Sequence, residues 1–92
     1  MNICLVGEGA FAIKHLEAIN NIEDAQVTSI VGGVEAATND VATKYHIPFA
    51  TLDLNKGLNQ PGIEAAIIAS PTPMHAAQAL EAMRQGLSLI HI

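Results

Sequence analysis

Apolar residues fall into short runs and helical stripes that alternate along the chain. The first run, Ile3-Cys4-Leu5-Val6, stops at Gly7 and predicts a strand over Asn2–Val6. A helix is expected over Ala10–Asn20, with Phe11, Ile13, Leu16 and Ile19 spaced to pack on a sheet. After the polar turn Asn20–Asp24, the segment Ala25–Val31 reads as a second strand, ended by Gly32-Gly33. Glu35–Tyr45 reads as a second helix. Its acidic first residue suits the helix dipole, and Val41 and Tyr45 form a thin apolar stripe. His46-Ile47-Pro48 breaks that helix. Phe49–Thr51 is a short third strand, and Asp53–Leu58 is one or two helical turns with Asp53 as the cap. Beyond the Pro61-Gly62 turn, Glu64–Ser70 is apolar almost throughout, as parallel strands buried on both faces are. Pro71-Thr72-Pro73 reads as a rigid loop. Met74–Gln85 reads as a helix with Ala76, Ala79, Leu80 and Met83 on one face, stopped by Gly86. Leu87–Ile92 reads as a fifth strand.

Strands alternating with helices over short connections predict an α/β domain with right-handed crossovers. The expected fold is a Rossmann-type parallel sheet with helices on both faces. It is incomplete, ending where a second domain would follow.

Composition narrows the function classes. At 92 residues the chain is one small domain, and a chain of this size buries only about 60–65% of its unfolded surface. Half of its residues are apolar, which excludes a disordered chain. Nine acidic residues against four basic ones give a net charge of -5. No Lys/Arg cluster exists to neutralise phosphates, so nucleic acid is not an expected partner. No apolar run is long enough to span a bilayer, and no secretory leader is apparent. A single cysteine rules out an internal disulfide and suits a cytoplasmic protein.

The candidate chemistry begins at Gly7-Glu8-Gly9-Ala10-Phe11-Ala12, a G-x-G-x-x-A loop between a strand and a helix. Gly7 permits a tight turn. Gly9 lets the backbone approach a pyrophosphate that a Cβ would block. A helix starting at Ala10 then aims free N–H groups and its positive end at the negative charge. The plain alternative is a glycine turn that merely packs helix on strand. Glu8 reads as a solvated turn residue.

An acid about 20 residues after such a loop usually holds the adenosine ribose hydroxyls. Here that place is taken by Gly32 and Gly33. Without a carboxylate a 2′-phosphate is not repelled, yet no Arg or Lys stands there to hold one. The backbone N–H groups of Gly32 and Gly33 are the donors available, and Glu35 is close enough to serve as a displaced ribose ligand. The expected cofactor is NADP or NAD, with a lean to NADP.

Ser70-Pro71-Thr72-Pro73-Met74-His75 lies at the carboxyl end of the fourth strand, the edge of such sheets where ligands bind. Its prolines suit a stiff pocket wall, and His75 falls at a helix start. The alternative is a capping turn with a surface histidine. His15 reads as an ordinary helix residue and Cys4 as core. His46 and His91 have no partner at metal-ligand spacing, so no metal is expected.

These residues resemble a known family. GEGAFAIKHLEAI is similar to the G-x-G-x-x-G/A-x-x-H-x-x-x-L opening of the Gfo/Idh/MocA oxidoreductases. AAIIASPTPMHAAQALEAMRQG is similar to their second signature, A-[ST]-P-x-x-x-H followed by an alanine-rich helix and a glycine. The resemblance covers Asn2 to Gly86. It implies NAD(P) binding through Gly7, Gly9, Ala10, Phe11 and Ala12, with further cofactor contacts at Ser70, Pro71, Thr72 and His75. It also matches His15 to the histidine of the first motif. Within the family, GAF followed by KHL, with a glycine pair after the second strand, is similar to the carboxy-hydroxymuconate semialdehyde dehydrogenases, which favour NADP.

The resemblance fails after Gly86. The family continues Lys-His-Val and then Glu-Lys-Pro, whose lysine often acts in catalysis; here Leu-Ser-Leu-Ile-His-Ile follows. That hexapeptide is one reading frame of the end sequence of a transposase adapter used in preparing sequencing libraries. The expected organisation is therefore a partial NAD(P)-binding domain over residues 1–86, an adapter-derived tail over 87–92 in the slot of a fifth strand, and a missing substrate domain. The full-length parent is expected to be a homo-oligomeric dehydrogenase moving hydride between nicotinamide and a hydroxyl or carbonyl carbon, and the fragment to be inactive. A stand-alone nucleotide-binding or regulatory module is the alternative.

Overall fold

The computed structural model describes residues 1–7, 9–69 and 72–91, and the side chains of these except at 10, 11, 72–76 and 88–91. The elements in order are β1 (Asn2–Val6), α1 (Ala10–Asn20), β2 (Gln26–Val31), α2 (Glu35–Lys44), β3 (Phe49–Thr51), α3 (Leu54–Leu58), β4 (Ile63–Ile68), α4 (Thr72–Arg84) and β5 (Ser88–His91). The strands form one parallel sheet in the order β3-β2-β1-β4-β5.

Alternation along β1 sorts its side chains between two layers, because successive residues of a strand point to opposite faces. Ile3 and Leu5 join Ala12, Leu16 and Ile19 of α1 and Val41 and Ala42 of α2 in one apolar cluster. Cys4 and Val6 join Leu58 of α3 and Ala82 of α4 in the other. Both neighbours of β1 slip by one residue. Ile3 pairs with Val27 but Cys4 with Ser29, leaving Thr28 as the extra residue of β2. Asn2 pairs with Ile63 but Ile3 with Ala65, leaving Glu64 as the extra residue of β4. Such bulges re-aim the strand beyond them. Val27 and Ile30 thereby share the α1–α2 layer while Ser29 and Val31 face α3.

The Ser29 hydroxyl is fully buried and donates to the Gly57 carbonyl at 3.0 Å. Helix α3 lies against β2 so closely that a Cβ at Gly57 would stand 2.1 Å from Val31 Cγ2. Asp53 caps this helix as expected, accepting from the N–H groups of Asn55 and Lys56 at 3.0 and 3.3 Å.

Two stripes differ from the expected ones. Among the described side chains of α4 the buried ones are Gln78, Ala79 and Ala82, while Leu80 and Met83 are 55% and 56% exposed. The alanines bring the helix close to β4, and the larger side chains are turned outward; Ala76 lies outside the described side chains. On α2 the buried residues are Thr38, Val41 and Ala42. Tyr45 is half-buried and donates its hydroxyl to Glu17 of α1 at 3.1 Å. Helix α4 also starts earlier than expected, so Thr72 and Pro73 belong to its first turn rather than to a loop. Proline is tolerated there because first-turn N–H groups have no intrahelical acceptor.

Helix α2 ends in a left-handed residue, His46, at φ 59°. The Ile47 N–H then returns to the Ala42 carbonyl at 2.8 Å, closing the helix end.

Candidate functional site

The sheet order sets β1 beside β4, with the connection from β1 leading towards β2 and that from β4 towards β5. Connections that part in this way open a crevice at the carboxyl ends of the two strands. The ends are tied in steps: Ala69 N–H donates to the Val6 carbonyl at 2.8 Å, and Gly7 N–H to the Val31 carbonyl at 2.7 Å.

Gly7 is buried and has φ 127°, a backbone conformation that requires glycine. Gly9 is exposed and is the N-cap of α1, with φ -78° and ψ -175°, and as a glycine it offers the helix no capping side chain. Among the described residues, a Cβ at Gly9 would meet nothing within 4 Å. The backbone here does not need glycine for its own sake. The first-turn N–H groups of Ala10, Phe11 and Ala12 have no intrahelical acceptors. The Ala12 methyl is fully buried in the α1–α2 layer, so its side chain packs helix on strand while its N–H stays in the first turn. The Phe11 side chain lies outside the described residues, as does Glu8.

On the other side of the crevice, Ser70 and Pro71 lie outside the described residues. Thr72 and His75 are in the first turn of α4, and their side chains are likewise outside. Glycines 32 and 33 behave differently from the expected pair of free donors. Gly32 N–H is spent on the Thr51 carbonyl at 3.0 Å, because it continues the β2–β3 ladder. Gly33 is exposed and has an interaction of its own within the chain. The Gly32 N–H is thus committed to the sheet, and the cofactor reading at this end of β2 has to rest on other groups.

Beyond this pair, the start of α2 and the end of β3 enclose a cavity of about 210 Å³ lined by Glu35, Thr38, Asn39, Ala50, Thr51 and Leu52. Glu35 had been visible in the sequence as a candidate; Asn39 had not, although its position four residues on puts it on the same helix face. Nothing in the sequence links either to Thr51 or Leu52.

The remaining candidates are placed simply. His15 is half-buried on α1 and has a partner within the chain. Cys4 is buried in β1, and burial pushes its thiol up to about 11, leaving it a protonated core group. His46 is exposed at the end of α2. Among the described residues no three His, Cys, Asp or Glu side chains gather as a metal site, and no helix is long and apolar enough to cross a membrane.

Comparison with known proteins matches this arrangement. The model of an oxidoreductase family with an NAD-binding Rossmann fold matches residues 1–91. The 4-carboxy-2-hydroxymuconate-6-semialdehyde dehydrogenase of a Sphingobium species is 37% identical over 86 residues, 94% of this chain and 27% of that protein. Among solved structures, a probable dehydrogenase from Thermotoga maritima superposes with a TM-score of 0.94 at 20% identity, covering 99% of this chain and 27% of its own. Scyllo-inositol dehydrogenase from Lactobacillus casei, solved with NAD(H) and scyllo-inositol, gives 0.91 at 22% over 99% of this chain and 27% of its own. Biliverdin reductase from Synechocystis, solved with biliverdin and NADP+, gives 0.87 at 24% over 98% and 28%. The chain thus spans about a quarter of the length of the relatives it matches.

Proposed function

We propose a function from one premise: this chain belongs to the Gfo/Idh/MocA oxidoreductase family and is an NAD-binding domain of that family. The reading is that the crevice between β1 and β4 holds the cofactor's pyrophosphate against the open start of α1. Gly7 shapes the turn, Gly9 gives the close approach, and the N–H groups of Ala10, Phe11 and Ala12 donate. Ser70, Pro71, Thr72 and His75 are assigned to the nicotinamide end. The single observation that carries this is Gly9, a glycine whose backbone conformation does not require one and which leaves the helix start without a side-chain cap of its own.

The cofactor is assigned as NADP in preference to NAD. What supports the lean is the lack of a carboxylate at Gly32 and Gly33; the loss of Gly32 N–H as a donor weakens it, leaving the first turn of α2 to face the ribose. Titration with NADPH and NADH, read by the reduced nicotinamide's own fluorescence in a chain without tryptophan, tests both steps. Binding of neither overturns the site, and equal or stronger binding of NADH overturns the preference.

For a longer protein carrying this domain we assign a dehydrogenase activity, with a small semialdehyde as substrate by likeness to the Sphingobium enzyme. The cofactor would supply the hydride chemistry, and this domain would supply binding and orientation. NADP+-dependent oxidation of such a semialdehyde by the full-length protein is the assay, and its absence rejects the substrate class. The tail 87–92 is assigned to translated adapter sequence. The pairing of Ala65–Ile68 with Ser88–His91 requires only an apolar strand there, so the test is the coding nucleotides: codons other than the adapter string reject it.

A further inference from the structure

We propose that a second copy of this chain docks along the β5 edge of the sheet, the two β5 strands pairing antiparallel about a twofold axis and the two α4 helices meeting through Leu80 and Met83. The sheet order leaves two strands at its margins, β3 and β5. They differ in how they are guarded. β3 has three residues, follows Pro48, and lies beside α2, which carries Glu35 and Asp40 exposed. Short length, proline and charge are the usual guards of an edge. β5 has four residues, Ser-Leu-Ile-His, with no proline, lysine or acid among them. Of the 92 residues only Ile92 follows it, and among the described residues its outer side has no partner strand.

The helix above that edge is apolar on the matching side. Helix α4 lies against both β4 and β5. One of its flanks is turned to α3, where Gln85 Nε2 donates to Asn55 Oδ1 at 3.3 Å. Glu81, four residues before Gln85, shares that flank and pairs with Arg84 at 4.0 Å. Met83 stands about 160° round the helix from Gln85, on the flank towards the sheet margin, and Leu80 is one turn before it. Both are exposed. When two β5 edges pair, the middle of one β4–β5 pair lies two strand spacings from the middle of the other, about 9–10 Å. Helix axes pack at about 8–10 Å. A twofold axis normal to the sheet keeps both α4 helices on one face, so Leu80 and Met83 fill the groove between them, and the outer backbone groups of β5 gain partners. Charge favours this place for a like copy. Two chains of net charge -5 repel each other, and they do so least where the meeting surfaces carry no carboxylate. A segment added after residue 92 would compete for the same edge, so the pairing is assigned to the 92-residue chain.

Sedimentation of the 92-residue chain from micromolar to millimolar concentration tests the association. A reversible species of twice 9.6 kDa is expected and nothing larger, because an isologous contact closes on itself. Leu80→Glu and Met83→Glu each bring two carboxylates together across the axis. Each is expected to weaken the dimer about tenfold, with unchanged far-ultraviolet circular dichroism, since both side chains are exposed in the single chain. Ile22→Glu, at an equally exposed apolar site between α1 and β2, is expected to leave the dimer as it is. A monomer throughout the range, a series of ever larger species, full dimerisation in both α4 variants, or loss of the dimer in Ile22→Glu overturns the proposal. None of these outcomes bears on the cofactor reading, whose crevice lies between β1 and β4.

Discussion

Two glycine pairs follow neighbouring strands and are put to opposite uses. After β1, Gly9 leads into a helix whose first amides have no intrahelical acceptor and no capping side chain from Gly9 itself. After β2, the amide of Gly32 is already bonded to Thr51. The residues are the same, and both pairs sit on the edge of the sheet where ligands bind. The difference is the neighbour. Beside β2, β3 accepts the next ladder bond; the chain leaving Gly7 turns instead into a helix. A backbone N–H becomes a binding group only where no strand or carbonyl claims it first.

The largest effect that would break this comparison belongs to Gly9→Val. Its Cβ meets none of the described residues, so the thermal midpoint should hold, while cofactor affinity falls about a hundredfold through steric exclusion of the pyrophosphate. Equal losses of stability and binding would show that Gly9 serves the fold. Gly7→Ala should do the reverse. Forced into φ 127° in a buried turn, it should cost about 1–3 kcal/mol of stability, measured by urea unfolding. Gly32→Asp should then supply the ribose carboxylate that β2 lacks and shift the NADH-to-NADPH preference about tenfold towards NADH, read as a ratio of Kd values. No shift would mean that the ribose does not reach the end of β2. The smallest effect comes from His46, the left-handed position without a glycine. His46→Gly should stabilise the chain by about 0.5–1 kcal/mol, because the αL conformation at a helix end carries no Cβ penalty for glycine.

The sequence was most legible where a change of element coincided with a glycine, proline or cap. The bounds of β1 and α1 follow from Gly7 and Gly9, and the Asp53 cap was readable for the same reason. The packed face of α4 was not. Alanines occur on several of its sides, so periodicity favoured the larger Leu80 and Met83, whereas close approach to β4 selects the small residues. The contact of Ser29 with Gly57 was hidden for another reason. It joins residues far apart in the chain, and neither a serine in a strand nor a glycine in a short helix announces a close crossing. The α2–β3 cavity was hidden in the same way, since only tertiary structure brings Asn39 to Leu52.

The bulge at Thr28 gives β2 two halves that are half a period out of phase. Deleting that one residue would put Val27 directly before Ser29, still on opposite faces, so both halves would keep their pairing with β1 and their layers. Deleting Ile30 instead would turn Val31 from the α3 side into the other layer. Away from the bulge, an insertion or deletion acts on a whole strand, whereas a substitution acts on one side chain. This strand can therefore change its length at Thr28 more readily than anywhere else along it.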